Sequence, residues 1–304
     1  MAIQIDRKNQ QMSLGIVIPT FRAAQHLPHC LPALIHSSLK PRLLIIDSSS
    51  DDNTIEIAQS YGVETLVIPQ KEFNHGLTRE LGRKYLQTEI VVMITQDAYA
   101  TCPNMLEELI QPILMGQASV AYARQIPHKN AQFFEAFPRH FNYPSKSHIR
   151  SMADVKEYGV YTFFCSNSCA AYLNSALDEI GGFSSVCFGE DTLAVAQLLH
   201  CGHKIAYVAT AQVHHSHHYS LKQEFYRHFV MGISRYKNKS LFKIAGKDTQ
   251  RGKTYFKWLL KDLGAIPQWI PYAILQTVCK FLGYRFGKIY ECISSWITKI
   301  IEQC

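Results

Sequence analysis

A chain of 304 residues with 47% hydrophobic content has core enough for one large α/β domain and an appendage. Its formal charge of +7 points to an anionic partner, whether nucleotide, membrane surface or nucleic acid. No run of 18 apolar residues suits a transmembrane span, and the nine scattered cysteines exclude a disulfide framework or a four-cysteine zinc site.

The polar start MAIQIDRKNQQM lacks the apolar stretch of a signal peptide, so reduced thiols in the cytoplasm are expected. Leu14–Pro19 then reads as a strand, and residues 25–37 as a helix whose first turns hold Pro28 and Pro32. Leu43–Ile46 is a second buried strand, ending in Asp47 and the polar cluster Ser48 to Asp52, which opens a helix near Thr54. Val63–Ile68 is a third strand and Leu77–Leu86 a helix. Ile90–Thr95, followed by Gln96-Asp97-Ala98, is the fourth strand. Its unbroken apolar run predicts burial on both faces, as in a mainly parallel sheet. Helix 103–115 and strand 119–123 follow. Strands alternating with helices at this spacing predict βαβ units.

From 126 to 160 the pattern dissolves into Phe, Pro, His and Lys without period, and a long functional loop is expected. Order returns over Tyr161–Cys169, with helices at 176–180 and 191–201, a strand at 204–208 and a histidine-dense loop at 213–220. There is no internal repeat. Between Lys222 and Lys261 the chain holds 11 Lys and Arg against two acids, and Ile289, Ile293, Trp296, Ile297, Ile300 and Ile301 recur at helical spacing. Residues 221–304 therefore read as a basic, amphipathic helical region, broken by Pro267 and Pro271, that lies on an anionic bilayer or packs against the rest.

Three strand ends carry polar groups on one edge of the expected sheet: Pro19-Thr20-Phe21, Asp47-Ser48-Ser49 and Gln96-Asp97. Ligands bind at that edge of open α/β sheets. Asp47 there either meets a base edge or caps the next helix. No GxGxxG or Walker motif is present, so neither a dinucleotide site nor a P-loop is indicated. Arg79 opens a helix beside the strand ends, where a phosphate can be held. Glu190-Asp191 opens another; one carboxylate can cap while the other acts as general base. In His214-His215-Ser216-His217-His218, alternate residues of an extended segment share a face, so His215 and His217 point one way. One such histidine with one Asp would make a divalent-metal site.

IVIPTF, IIDSSSDDNT, ITQDA, GGF…EDTLA and a late V-x-H together resemble the inverting family 2 glycosyltransferases with the GT-A fold. FNHGLTR, TQDA, ARQIP, Ser166-Asn167 and AQVHHSHHYS resemble the bacterial rhamnosyltransferase branch, over residues 14–235. The resemblance implies an α/β fold of GT-A type. Residues 1–220 would form the catalytic domain (nucleotide part 14–125, acceptor and catalytic part 126–220), and residues 221–304 a helical appendage. It implies transfer of a sugar, L-rhamnose from dTDP-L-rhamnose, to a glycan or lipid-linked acceptor in cell-surface polysaccharide synthesis. Thr20, Asp47 and Arg79 would contact the nucleotide, with Pro19, Phe21, Ser49, Gln96, Asn167 and Glu190 completing the donor site. Asp97 would hold Mg²⁺ or Mn²⁺, His215 (or His217) would be the late metal contact, and Asp191 the base. Thr95 stands where the common Asp-x-Asp motif has its first Asp, which weakens the case for strict metal dependence. The other readings are a transferase of another nucleotide hexose, a sugar-nucleotide binder without catalysis, and a nucleic-acid binder, for which no motif appears. The expected place is the cytoplasm, on the inner face of the membrane.

Overall fold

The computed structural model describes residues 12–186, 188–246 and 249–302. Strands and helices alternate through β1 (Leu14–Thr20), α1 (Leu27–Ile35), β2 (Arg42–Asp47), α2 (Thr54–Ser60), β3 (Glu64–Val67), α3 (His75–Leu86) and β4 (Ile90–Ile94). Short β5 (Tyr99–Ala100), α4 (Met105–Leu114) and β6 (Val120–Ile126) follow. The next stretch holds α5 (Phe133–Asn142), β7 (His148–Arg150) and α6 (Val155–Tyr158). Then come β8 (Cys169–Leu173), α7 (Asn174–Glu179), α8 (Glu190–His200) and β9 (Ile205–His214). The chain closes with α9 (Leu221–Lys237), α10 (Lys239–Phe242), α11 (Thr249–Asp262) and α12 (Ile270–Glu302).

The strands form one sheet in the order β3-β2-β1-β4-β8-β6-β9-β5, with β7 also on β9. The parallel arrangement holds from β3 to β4. Beyond β4 the sheet is mixed: β8 runs antiparallel to both neighbours, and β6 pairs parallel with β9. All five residues of β4 are buried, as the unbroken apolar run requires. Ile90, Val92 and Ile94 face the core under α1 and α4; Val91 and Met93 face the one under α8. Each contributes roughly 1.5–3 kcal/mol by burial, an upper estimate.

Two expectations need correction. The stretch 126–160 is not an open loop. Phe133, Phe137 and Phe141 recur every fourth residue along α5 and pack on Tyr255 and Leu259 of α11, despite Pro138 inside the helix. Strand β8, CAAYL, follows the ordered stretch expected at 161–169; its small residues have weak strand preference and are placed by two flanking strands.

The C-terminal helices pack against the rest and also keep an outer apolar face. Helix α12 crosses α9 so closely that Cβ atoms added at Gly283 and Gly287 would stand 2.3 and 2.0 Å from the carbonyl oxygens of Phe225 and Phe229. Away from that crossing it exposes Leu275, Val278, Phe281, Ile289 and Ile293, while Phe286, also half-exposed, keeps its ring 6.2 Å from that of Phe225 on α9. The side chains of Trp296, Ile297, Ile300 and Ile301 lie outside those described, as do residues 1–11. Of the two prolines expected to break the region, Pro267 opens the short turn between α11 and α12, and Pro271 sits in the first turn of α12. Among the described residues no helix is long and apolar enough to cross a membrane, and no cysteine is paired.

Candidate active site

The register of the parallel strands places Thr20 opposite Asp47 at the carboxyl edge of the sheet. Asp47 is fully buried and its carboxylate organises the loop after β2. It accepts from Thr20 Oγ1 at 2.9 Å, Ser50 N at 2.7 Å and Ser50 Oγ at 2.6 Å. Of about four lone-pair positions, three are taken by these internal bonds. Ser49 adopts a positive φ of 56° and donates to the Ile68 carbonyl. Gln96 brackets Phe21 as a strand partner would: its Oε1 accepts from Phe21 N and its Nε2 donates to Phe21 O. Pro19, Thr20, Ser49 and Gln96 thus shape the rim, and the Phe21 ring stays partly exposed on it.

Asp97 follows β4 and meets the histidine loop. His215 Nε2 lies 3.5 Å and His217 Nε2 3.4 Å from its carboxylate oxygens. The sequence left a choice between the two histidines; the structure brings both, because β9 runs extended to His214 and the alternation continues through His217. His214 faces the Pro127 carbonyl instead, and His218 is exposed. The three ligand atoms lie within 4.8 Å of one another. Ligands about 2.1 Å from an octahedral cation stand about 3 Å apart along an edge, so the spacing fits a divalent ion.

The donor chemistry fits as well. His215 Nδ1 faces Gln125 Oε1 at 2.9 Å, and Gln125 is oriented in turn by Ser166, which leaves His215 Nε2 turned to Asp97. Burial lowers both imidazoles below their ordinary range, His217 to about 4, so both are neutral at pH 7 with lone pairs free. Their Nε2 atoms are 3.0 Å apart, a separation that a shared proton or a cation relieves. Burial pushes the Asp97 carboxyl up, but the two imidazoles outweigh it and hold it low. Asp97 is therefore a carboxylate throughout the physiological range.

The second centre is the acid pair opening α8. Asn167 holds both members: its backbone N donates to Asp191 Oδ2 at 3.1 Å and its Nδ2 to Glu190 Oε1 at 3.0 Å. The Tyr172 hydroxyl fixes the Asn167 amide. Glu190 is buried in an ion pair with Arg79 at 3.1 Å. Burial alone would raise its carboxyl; Arg79 overrides that and keeps it ionised. Arg79 also donates to the His75 carbonyl, and its buried Nε has no partner among the described residues. Asn167 and Glu190 are thus inner supports. Burial and then the charge of Glu190 raise Asp191 to about 7, the range a general base at neutral pH needs. Glu80, which stands where the resemblance to the rhamnosyltransferase branch implies Asn, pairs with Arg83 and accepts from Phe183 N, tying α3 to the loop before α8.

A carboxylate-histidine triad and a raised carboxylate thus lie beside the carboxyl edge of a half-parallel sheet, the edge where open α/β folds bind their ligands. The profile of glycosyl transferase family 2 matches residues 15–181, and the chain belongs to that family; it is a glycosyltransferase. Over 290 residues it is 35% identical to the O-antigen chain rhamnosyltransferase RfbN of Salmonella typhimurium, covering 93% of this chain and 91% of that protein. It is 36% identical over 289 residues to the O-antigen chain rhamnosyltransferase WbaN of Salmonella anatum, covering 92% and 91%. Among solved structures, the mannosyltransferase PcManGT of Pyrobaculum calidifontis, in complex with GDP-Man and Mn²⁺, superposes with a TM-score of 0.66 at 12% identity. That match covers 93% of this chain and 88% of the other, and the fold is the GT-A one expected.

Proposed function

We propose that this enzyme transfers L-rhamnose, with inversion, from dTDP-L-rhamnose to a lipid-linked glycan during O-antigen synthesis. The full-length likeness to two O-antigen chain rhamnosyltransferases supports the sugar and the pathway. The observation that carries the mechanism is the raised Asp191 carboxyl, held by Asn167 beside the metal triad's strand. Asp191 takes the proton from the acceptor hydroxyl as that oxygen attacks the anomeric carbon. A single displacement inverts the centre, and no second nucleophile is required.

Asp97, His215 and His217 would hold a divalent cation, which supplies charge neutralisation for the leaving diphosphate. Two imidazoles and one carboxylate suit Mn²⁺ better than Mg²⁺, whose sites are built from oxygen. Thr20, Asp47 and Phe21 would meet the base and ribose, and Arg79, through its free Nε, the phosphates. Residues 1–220 act as the catalytic part and 221–304 as the membrane-facing part. The exposed apolar side of α12 and the basic character of 222–261 support a peripheral seat on the anionic inner face of the membrane. Purified protein with Mn²⁺ should hydrolyse dTDP-L-rhamnose faster than UDP- or GDP-sugars; preference for another donor would overturn the rhamnose assignment.

A further inference from the structure

We infer that Arg227, on α9, is a diphosphate contact closing the site from the C-terminal side. The inference rests on the reading of the site as a nucleotide-sugar centre. The Arg227 guanidinium sits 4.3 Å from the ring centre of Tyr219 and 4.9 Å from that of Phe188. Tyr219 in turn lies 5.2 Å, ring to ring, from His217 of the metal triad, and Phe188 lies two residues before Glu190. Arg227 thus bridges the histidine loop and the loop that delivers Asp191.

The guanidinium has no anion of its own. Arg22, Arg42, Arg79 and Arg83 each pair with a carboxylate. Arg227 makes neither an ion pair nor a hydrogen bond among the described residues, although it is half-buried. Stacking on an aromatic ring leaves the planar N–H donors free at the edge, the arrangement suited to bidentate binding of phosphate. A second guanidinium, that of Arg139 on α5, also buries an Nε without a partner among the described residues. The unpaired Arg227 guanidinium, one aromatic ring away from the triad, leaves this end of the cleft short of negative charge. A diphosphate supplies it. Two diphosphates meet there during turnover: the donor's, and that of a lipid-linked acceptor.

The test compares wild type with Arg227→Gln and Arg227→Lys in the full chain, with Mn²⁺. Both variants should melt cooperatively by circular dichroism; the Lys form keeps charge and stem if the Gln form does not fold. Binding of inorganic diphosphate, dTDP and thymidine is measured by calorimetry. Loss of one charge-assisted contact is expected to weaken diphosphate and dTDP about 10–100-fold and leave thymidine unchanged, with Lys recovering only part. That result assigns the contact to the donor. Unchanged dTDP binding with a similarly raised KM for a lipid-diphosphate acceptor assigns it to the acceptor. Unchanged affinity for all three, with unchanged acceptor KM, overturns the inference. Wild-type binding of inorganic diphosphate but not of dTDP would sink the thymidine-donor reading and leave Arg227's role to be judged by the diphosphate arm.

Discussion

Asp191 and Asp97 are both carboxylates near one sheet edge, yet their surroundings drive them apart. Burial and Glu190 lift Asp191 to about 7, while the imidazoles hold Asp97 down. Below pH 7 Asp191 carries a proton and cannot accept another, so kcat should rise with pH through about 7. Asp191→Asn should lower kcat about 10²–10⁴-fold and abolish that limb, with dTDP affinity retained. Full turnover in this variant would remove Asp191 from its role. Asp97→Ala should abolish Mn²⁺ binding, read by electron paramagnetic resonance, and weaken dTDP only when metal is present. His215→Ala and His217→Ala should act the same way to a lesser degree; an unchanged metal affinity in either would reduce the triad to a pair. Much of this was legible in the chain: TQDA, EDT and the histidine run each fell at an element end. What the sequence hid was who supports whom. Nothing in the spacing says that Glu190 neutralises Arg79 while its neighbour makes no ion pair among the described residues, or that Gln96 pairs with a backbone. Those roles depend on contacts 75 and 111 residues apart in the chain, Phe21 with Gln96 and Arg79 with Glu190.

At the scale of elements, periodicity decided what could be read. The strands β1, β2 and β4 announce themselves by apolar runs and by the polar residue that ends each. Helix α5 did not, because Pro138 masks an aromatic stripe that only makes sense against α11. Strand β8 did not, because alanine carries little strand preference and its neighbours impose the pairing. The α9–α12 crossing is another tertiary fact without a local signal. Gly287→Ala would press a methyl group to 2.0 Å from the Phe229 carbonyl, so the helices must part. We expect a loss of about 1–3 kcal/mol, seen as a lowered denaturation midpoint in urea. Gly252→Ala, where a Cβ meets nothing within 4 Å, is the control and should leave the midpoint unchanged or slightly raised.

For the whole molecule, α12 and α9 form one closely packed pair, apolar on its outer face. Intact protein should co-sediment with anionic vesicles, and salt should release it. Phe281→Asp with Ile289→Asp, both exposed, should weaken that binding without changing dTDP affinity. Wild-type protein that ignores anionic vesicles at low salt would leave α12 as a packed appendage only. The glycine-lined crossing has a kinetic consequence. It packs the exposed apolar helix α12 directly against the helix carrying Arg227, so a molecule docked on a bilayer through α12 would present its cleft at a fixed height over it. Such a catalyst would sample acceptors in two dimensions. Its rate should follow the mole fraction of acceptor within the surface: adding inert lipid at constant total acceptor should slow turnover.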